Sequence, residues 1–203
     1  MKNHTNSFKT IATLVLVNSI FLCSQASAND EQSIRFPLVR PAVLGKLCAP
    51  YAQGQVKVTT LGSVEVMDVR IKGLPKNAEF DAFVIQVPNR PFGMSWYQGD
   101  IQTNSYGKGY ARFVGRFNQE TFIVAPGVAV APRVHDTDAA DNPATGPVHT
   151  YHIGIWFNSP ADAVKAGCPG ATTPFNGDHK AGIQILNTST FDDDKGPLLL
   201  LKP

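Results

Sequence analysis

The stretch Trp96-Tyr97-Gln98-Gly99-Asp100-Ile101-Gln102-Thr103-Asn104-Ser105-Tyr106-Gly107-Lys108-Gly109-Tyr110-Ala111-Arg112-Phe113-Val114-Gly115-Arg116-Phe117 decides the fold class. Its arms, Trp96 to Thr103 and Lys108 to Phe117, flank Asn104 to Gly107, and Asn and Gly tolerate the left-handed backbone that a tight reversal demands. In the second arm Ala111, Phe113, Gly115 and Phe117 fall on one face and Arg112 and Arg116 on the other. That period of two belongs to a strand with one face in a core and one in water. Two such arms about a short turn predict a β-hairpin.

Working outward, Val64 to Lys72 alternates in the same way, with Met67, Val69 and Ile71 against Asp68, Arg70 and Lys72. Gly73 to Asn77 is turn chemistry, and Glu79 to Val87 is apolar on both faces toward its end, as a central strand is. Pro88 to Gly93 interrupts with two prolines and a glycine. Further strands are predicted at Thr121 to Ala125, His149 to Phe157 and Ile183 to Asn187, and Leu198 to Leu201 is a last strand or an edge cover. One short helix is expected after Ser159: a capping hydroxyl, Pro160 at the first helical position, Asp162 at the third, Lys165 in the last turn and Gly167 just beyond. Pro37, Pro41 and Pro50 argue against long regular elements in residues 29 to 54. Pro126 to Pro147 and Gly167 to Lys180 read as long irregular loops. The pattern predicts an all-β protein, an antiparallel β-sandwich, immunoglobulin-like or similar, with one short helix and two long loops.

The first 28 residues read differently. Lys2 and Lys9 precede a mainly apolar run, Ile11 to Leu22, and Ala26-Ser27-Ala28 supplies the small-x-small pattern of a cleavable export signal, so Asn29 is the expected new N-terminus. The run is too short for the roughly 20 residues that span a bilayer. Leu22 is too large to precede a lipid-modified Cys23. Of the 18 Lys and Arg, Lys2 and Lys9 leave with the signal, and the rest balance the 16 Asp and Glu. A neutral remainder without a basic run predicts no binding of nucleic acid or anionic lipid and no membrane span. Export to an oxidising compartment leaves Cys48 and Cys168 as a pair, and a disulfide between them is expected.

Candidate chemistry is sparse. Gly93-Met94-Ser95-Trp96-Tyr97 lacks the closing glycine of a nucleophile elbow and the parallel α/β setting that makes that turn useful, so no catalytic residue is assigned. His149 and His152 are three apart, on opposite faces of a regular strand, but His135 and His179 in the long loops could join one of them at a transition metal. Asp136, Asp138 and Asp141 offer hard oxygen ligands at short spacing, the chemistry calcium takes. Arg90, Phe92, Trp96 and Tyr97 form a further candidate: aromatics in and beside a proline-stiffened loop that could stack on a sugar or anchor a protein.

Phe80-Asp81-Ala82-Phe83-Val84-Ile85-Gln86, Ser95-Trp96-Tyr97-Gln98-Gly99-Asp100 and Arg112-Phe113-Val114-Gly115-Arg116-Phe117, with Thr150-Tyr151-His152 and Phe157-Asn158-Ser159-Pro160-Ala161-Asp162, resemble an uncharacterised family of secreted bacterial β-sandwich proteins. The resemblance implies bacterial export and carries no functional residue. The expectation is one domain over residues 29 to 203, secreted or periplasmic, that binds a protein or glycan of the cell envelope or exterior without catalysis. A metal-binding protein or metal-dependent enzyme built on the histidines and aspartates is the alternative.

Overall fold

A computed structural model describes residues 32 to 201, except 91, 94, 118–149 and 177–178. The expected export signal, Cys23, the strand at Thr121 to Ala125 and the loop Pro126 to Pro147 lie outside the described residues. Among the described residues ten strands run in chain order: β1 Ser33–Leu38, β2 Gln53–Leu61, β3 Val64–Lys72, β4 Glu79–Ile85, β5 Ser95–Gln102, β6 Gly109–Gly115, β7 His152–Phe157, β8 Thr173–Asn176, β9 His179–Ala181 and β10 Gln184–Asn187. A helix, α1 Pro160–Lys165, follows β7. Two antiparallel four-stranded sheets, ordered β1-β2-β3-β6 and β10-β7-β4-β5, form a β-sandwich, and β8 and β9 make a small separate ribbon.

Alternation determines what each sheet buries. Phe36 and Leu38 of β1, Val56 and Val58 of β2, Met67, Val69 and Ile71 of β3, and Phe113 of β6 point inward. They meet Phe80, Ala82 and Val84 of β4, Ile101 of β5, and Ile153, Ile155 and Phe157 of β7 across the sandwich. The alternation expected in Val64 to Lys72 and in Lys108 to Phe117 holds for the facing of the side chains, although Asp68 on the outer face is itself buried.

The expected hairpin does not form within one sheet. β5 pairs with β4 in the second sheet, β6 pairs with β3 in the first, and a single bridge, Thr103 to Gly109, joins the two arms. The turn forms as expected: the Asn104 side chain accepts from the Tyr106 and Lys108 amides, and Gly107 has φ +68°. Turn chemistry reverses a chain but does not choose its sheet. Buried Thr103 leads the chain out of the second sheet, its hydroxyl donating to the Pro75 carbonyl at 2.7 Å and accepting from the Ala78 amide at 2.9 Å. Gly109 completes the corner: a Cβ there would stand 2.8 Å from Ile101 and 2.9 Å from Ile71, where the sheets converge.

One other expectation, the loop Gly167 to Lys180, is corrected, and two are sharpened. Residues 29 to 54 hold a six-residue strand, β1, despite Pro37. β1 is an edge strand, where a proline's missing N–H costs no ladder bond. The segment Gly167 to Lys180 contains β8 and the start of β9 rather than irregular loop alone. Leu198 to Leu201 is no strand: Pro197–Leu200 is a 3₁₀ turn that seats Leu198 and Leu201 in the core, with the Leu198 amide donating to Tyr151.

The second sheet is covered on both faces. All six residues of β7 are buried, and Phe83, Ile85, Trp156 and Ala181, with Phe92 partly buried against them, form a second apolar cluster on the outer face. Helix α1 is built as its sequence predicts. The Ser159 hydroxyl accepts from the Asp162 amide at 3.1 Å and donates to its carboxylate at 2.7 Å, while Lys165 bridges to Asp162 at 2.9 Å. Gly167, at φ +73°, ends the helix, and Cys168 is bridged to Cys48 across 120 positions. Among the described residues no helix is long and apolar enough to cross a membrane.

Candidate functional site

The loop after β4 folds back over the outer face of the second sheet. The Val87 amide donates to the Phe92 carbonyl, and the buried Asn187 amide group donates to the Pro88 carbonyl at 2.9 Å. The rings Tyr97, Phe83, Trp156 and Phe92 then run in sequence, their centroids 5.4, 5.3 and 5.0 Å apart, the first pair tilted and the other two edge to face. Phe92 is therefore half a plug and half a surface, with the Arg90 guanidinium 5.8 Å above its ring. Strand alternation separates the other pair. Tyr97 lies on the outer face, where its hydroxyl donates to Asp100. Burial, followed by that carboxylate, raises the hydroxyl's pKa. Trp96 turns inward against the main core. Arg90, Phe92 and Tyr97 thus share a side of the molecule that Trp96 does not.

The metal candidates are dispersed. His135, Asp136, Asp138, Asp141 and His149 lie outside the described residues, and His179 lies in β9. His152 is fully buried, with both ring nitrogens occupied. Nε2 donates to the Asp193 carbonyl at 3.1 Å and Nδ1 accepts from the Thr188 hydroxyl at 2.8 Å, an assignment fixed by the carbonyl's being an acceptor only. Burial holds its pKa below the ordinary imidazole value, so the ring is neutral at pH 7. Among the described residues no three His, Cys, Asp or Glu side chains group closely enough to hold an ion.

The outer face of the first sheet carries a site that no single segment announces. Register places Arg35, Lys57, Asp68 and Arg112 in one cross-strand row. The next row is Pro37, Gln55, Arg70 and Tyr110, and Gln53 stands beside Lys72 beyond it. Alternation turns all of these side chains away from the core. Five cations therefore stand over one carboxylate, and that carboxylate is already engaged. Asp68 accepts the Arg112 guanidinium at 2.8 and 3.1 Å and the Tyr110 hydroxyl at 2.5 Å. The Arg112 contact, opposed by burial and helped by Tyr110, holds its pKa at about 2, down from 3.8. Arg70 lies over the Tyr110 ring at 5.1 Å. Beside these rows a groove of about 810 Å³ runs along the sheet toward the corner, lined by Arg35, Gln55, Arg70, Lys72, Lys108 and Tyr110. The sequence reading, which found no basic cluster, is corrected on this face: cations scattered over four strands are gathered by pairing.

Asp68 fixes the Tyr110 and Arg112 side chains of that face, and its ionisation has a measurable signature. A depressed folded-state pKa contributes stability above the unfolded value of 3.8, and the contribution is lost as pH falls through about 2. Arg112 is largely exposed, so solvent screens the pair. Asp68→Asn is expected to cost about 1–2 kcal/mol at neutral pH. In urea denaturation followed against pH, the gap from the unsubstituted chain should close as pH drops from 3.8 to about 2. A gap constant over that range would show that the carboxylate's charge is not what holds the row.

No protein-family model matches the chain, and no curated protein matches it either.

Proposed function

We propose that this is an exported, non-enzymatic binding domain that takes an acidic polysaccharide along the outer face of its first sheet. The observation that carries the reading is the cross-strand assembly of Arg35, Lys57, Arg70, Lys72 and Arg112, of which Arg35, Arg70 and Lys72 line a groove of about 810 Å³. Guanidinium groups pair bidentately with carboxylate or sulfate. The side-chain amides of Gln53, Gln55, Gln102 and Asn104 border the same groove and match sugar hydroxyls. The groove's aromatics are Tyr110, already faced by Arg70, and Phe36, buried in the core, and this favours a glycan over single-stranded nucleic acid, which is held on successive stacking rings. The Cys48–Cys168 bridge suits an oxidising compartment. Export itself rests on the signal pattern in residues 1 to 28, and bacterial origin on the resemblance given above.

The test is affinity electrophoresis or calorimetry with polygalacturonate and dextran sulfate, neutral dextran and DNA serving as controls. The chain should bind the acidic polymers and leave neutral dextran free. Arg35→Gln with Arg70→Gln should weaken binding roughly tenfold or more, two charge-assisted contacts being lost. Raising salt from about 0.05 to about 0.5 M should weaken it further, because exposed charges are screened. Equal binding by the double variant, or a preference for DNA, would overturn the glycan reading.

A further inference from the structure

One end of the sandwich is apolar where it should be polar. The segment 39–52, the turns 73–78 and 103–108, and α1 all emerge there, because β1, β3, β5 and β7 all end, and β2, β4 and β6 all begin, at that edge. Segment 39–52 is a string of tight turns, closed by the Leu44 amide on Pro41, the Cys48 amide on Gly45 and the Ala52 amide on Ala49. The Arg40 guanidinium stitches it from within, donating to the Gly45 and Cys48 carbonyls at 2.8 Å each. The disulfide ties it to the end of α1, and the Ala49 amide reaches the Ala166 carbonyl. On this braced scaffold Val43, Leu47 and Tyr51 recur every fourth residue with 88%, 84% and 79% exposure. Tyr106, 80% exposed, stands on the adjoining 103–108 turn, and Val164 is exposed on α1. Scattered exposed apolar side chains are ordinary, but a group of them at one braced tip marks an interaction surface.

The charge around the tip identifies the occupant. Its loops and helix carry Arg40, Lys46, Lys76, Lys108 and Lys165 against Asp162, which is held by Lys165 and Ser159, and the strand ends add Lys72 and Glu79, so cations prevail. The acidic run Asp192 to Asp194 sits beside His152, at the opposite end. A second copy of the chain docking tip to tip would set like charges against each other. Apolar side chains ringed by lysines match the interfacial zone of a membrane, where the hydrocarbon takes the apolar groups and anionic headgroups take the cations. We infer that the disulfide-braced tip is a peripheral anchor for an anionic lipid surface, with Val43, Leu47 and Tyr51 entering the headgroup boundary and Lys46, Lys76 and Lys108 meeting the phosphates. The anchor rests on the tip's apolar side chains and shares Lys108 with the groove.

Co-sedimentation with phosphatidylcholine vesicles containing roughly one-third phosphatidylglycerol tests it, beside pure phosphatidylcholine. The full chain should bind the anionic vesicles and much less the neutral ones. Val43→Asp with Leu47→Asp should lower that binding roughly tenfold or more, because two apolar groups leave the boundary and two like charges enter. Its melting temperature should not move, since both side chains are solvent-exposed. All variants share residues 1 to 31, so the difference isolates the tip. Arg35→Gln with Arg70→Gln should keep vesicle binding, which separates this result from the groove's. Unchanged binding by the Val43/Leu47 variant would overturn the anchor. So would a chain that ignores anionic vesicles and instead forms a dimer that this variant dissociates.

Discussion

Replacing Cys48 and Cys168 together by alanine should lower the unfolding free energy by about 2–5 kcal/mol, the range for a native bridge closing a long loop. The two cysteines are 120 positions apart, so the bridge removes a large loop-closure entropy from the unfolded chain. It also acts locally. Helix α1 spans six residues, well short of the length that holds a helix in water, and its only side chain in the core is Ala163. Across the bridge, segment 39–52 is built of single turns, and its tie to a strand is the pairing of Val39 at its start with Asn187. Loss of the bridge should therefore be felt twice: a lower urea midpoint for the whole domain, and faster amide exchange confined to α1 and segment 39–52. Replacing both residues avoids a free thiol that could mispair. A double variant whose midpoint and local exchange match the parent would mean that packing alone holds this end. The same variant should weaken vesicle binding, because the tip's apolar side chains then lose their common frame.

The elements legible in the sequence are those whose signals are local. Met67, Val69 and Ile71 against Asp68, Arg70 and Lys72 mark β3 to its end residues, and Ser159, Pro160, Asp162, Lys165 and Gly167 mark α1 from cap to stop. The disulfide was legible from cysteine count and compartment. What the sequence hid depends on pairing. Pro37 reads as a breaker unless β1 is known to lie at an edge. Trp96 to Phe117 reads as a hairpin because alternation and turn residues are the same whether the second arm returns to its own sheet or crosses to the other. The cationic face is hidden for the same reason. Arg35, Lys57, Arg70 and Arg112 stand up to 77 positions apart, and only register makes them neighbours. The loop aromatics were found by composition, yet alternation sends Trp96 inward and Tyr97 outward. Val43, Leu47 and Tyr51 do not stand out as a group because segment 39–52 has no strand period, and exposure in an irregular segment is not encoded in spacing.

Trp156→Ala should cost about 3–5 kcal/mol, the range for emptying the site of a fully buried aromatic. Trp156 is wholly buried on the outer face of β7, with its ring edge-on to Phe83 at 5.3 Å and to Phe92 at 5.0 Å. The backbone is shaped around it: a Cβ on Gly154 would stand 2.3 Å from the indole. Neighbouring strands cannot close that space, because β4 and β10 are hydrogen-bonded on either side of β7. A loss of that size should lower the melting temperature by roughly 10 °C in a domain of this length. Phe92 separates a loop that is merely a connector from one that is a contact. It is only partly buried, so Phe92→Ala should cost less, about 1–2 kcal/mol. The two losses should not add, since an edge-to-face pair couples by about 0.5–1.5 kcal/mol. Coupling in that range would identify the Pro88 to Phe92 loop as a lid on the second core, held by Trp156 beneath and Asn187 at its start. Strict additivity, with Phe92→Ala leaving the melting temperature where it was, would instead free Phe92 for contact with a partner, with Arg90 beside it.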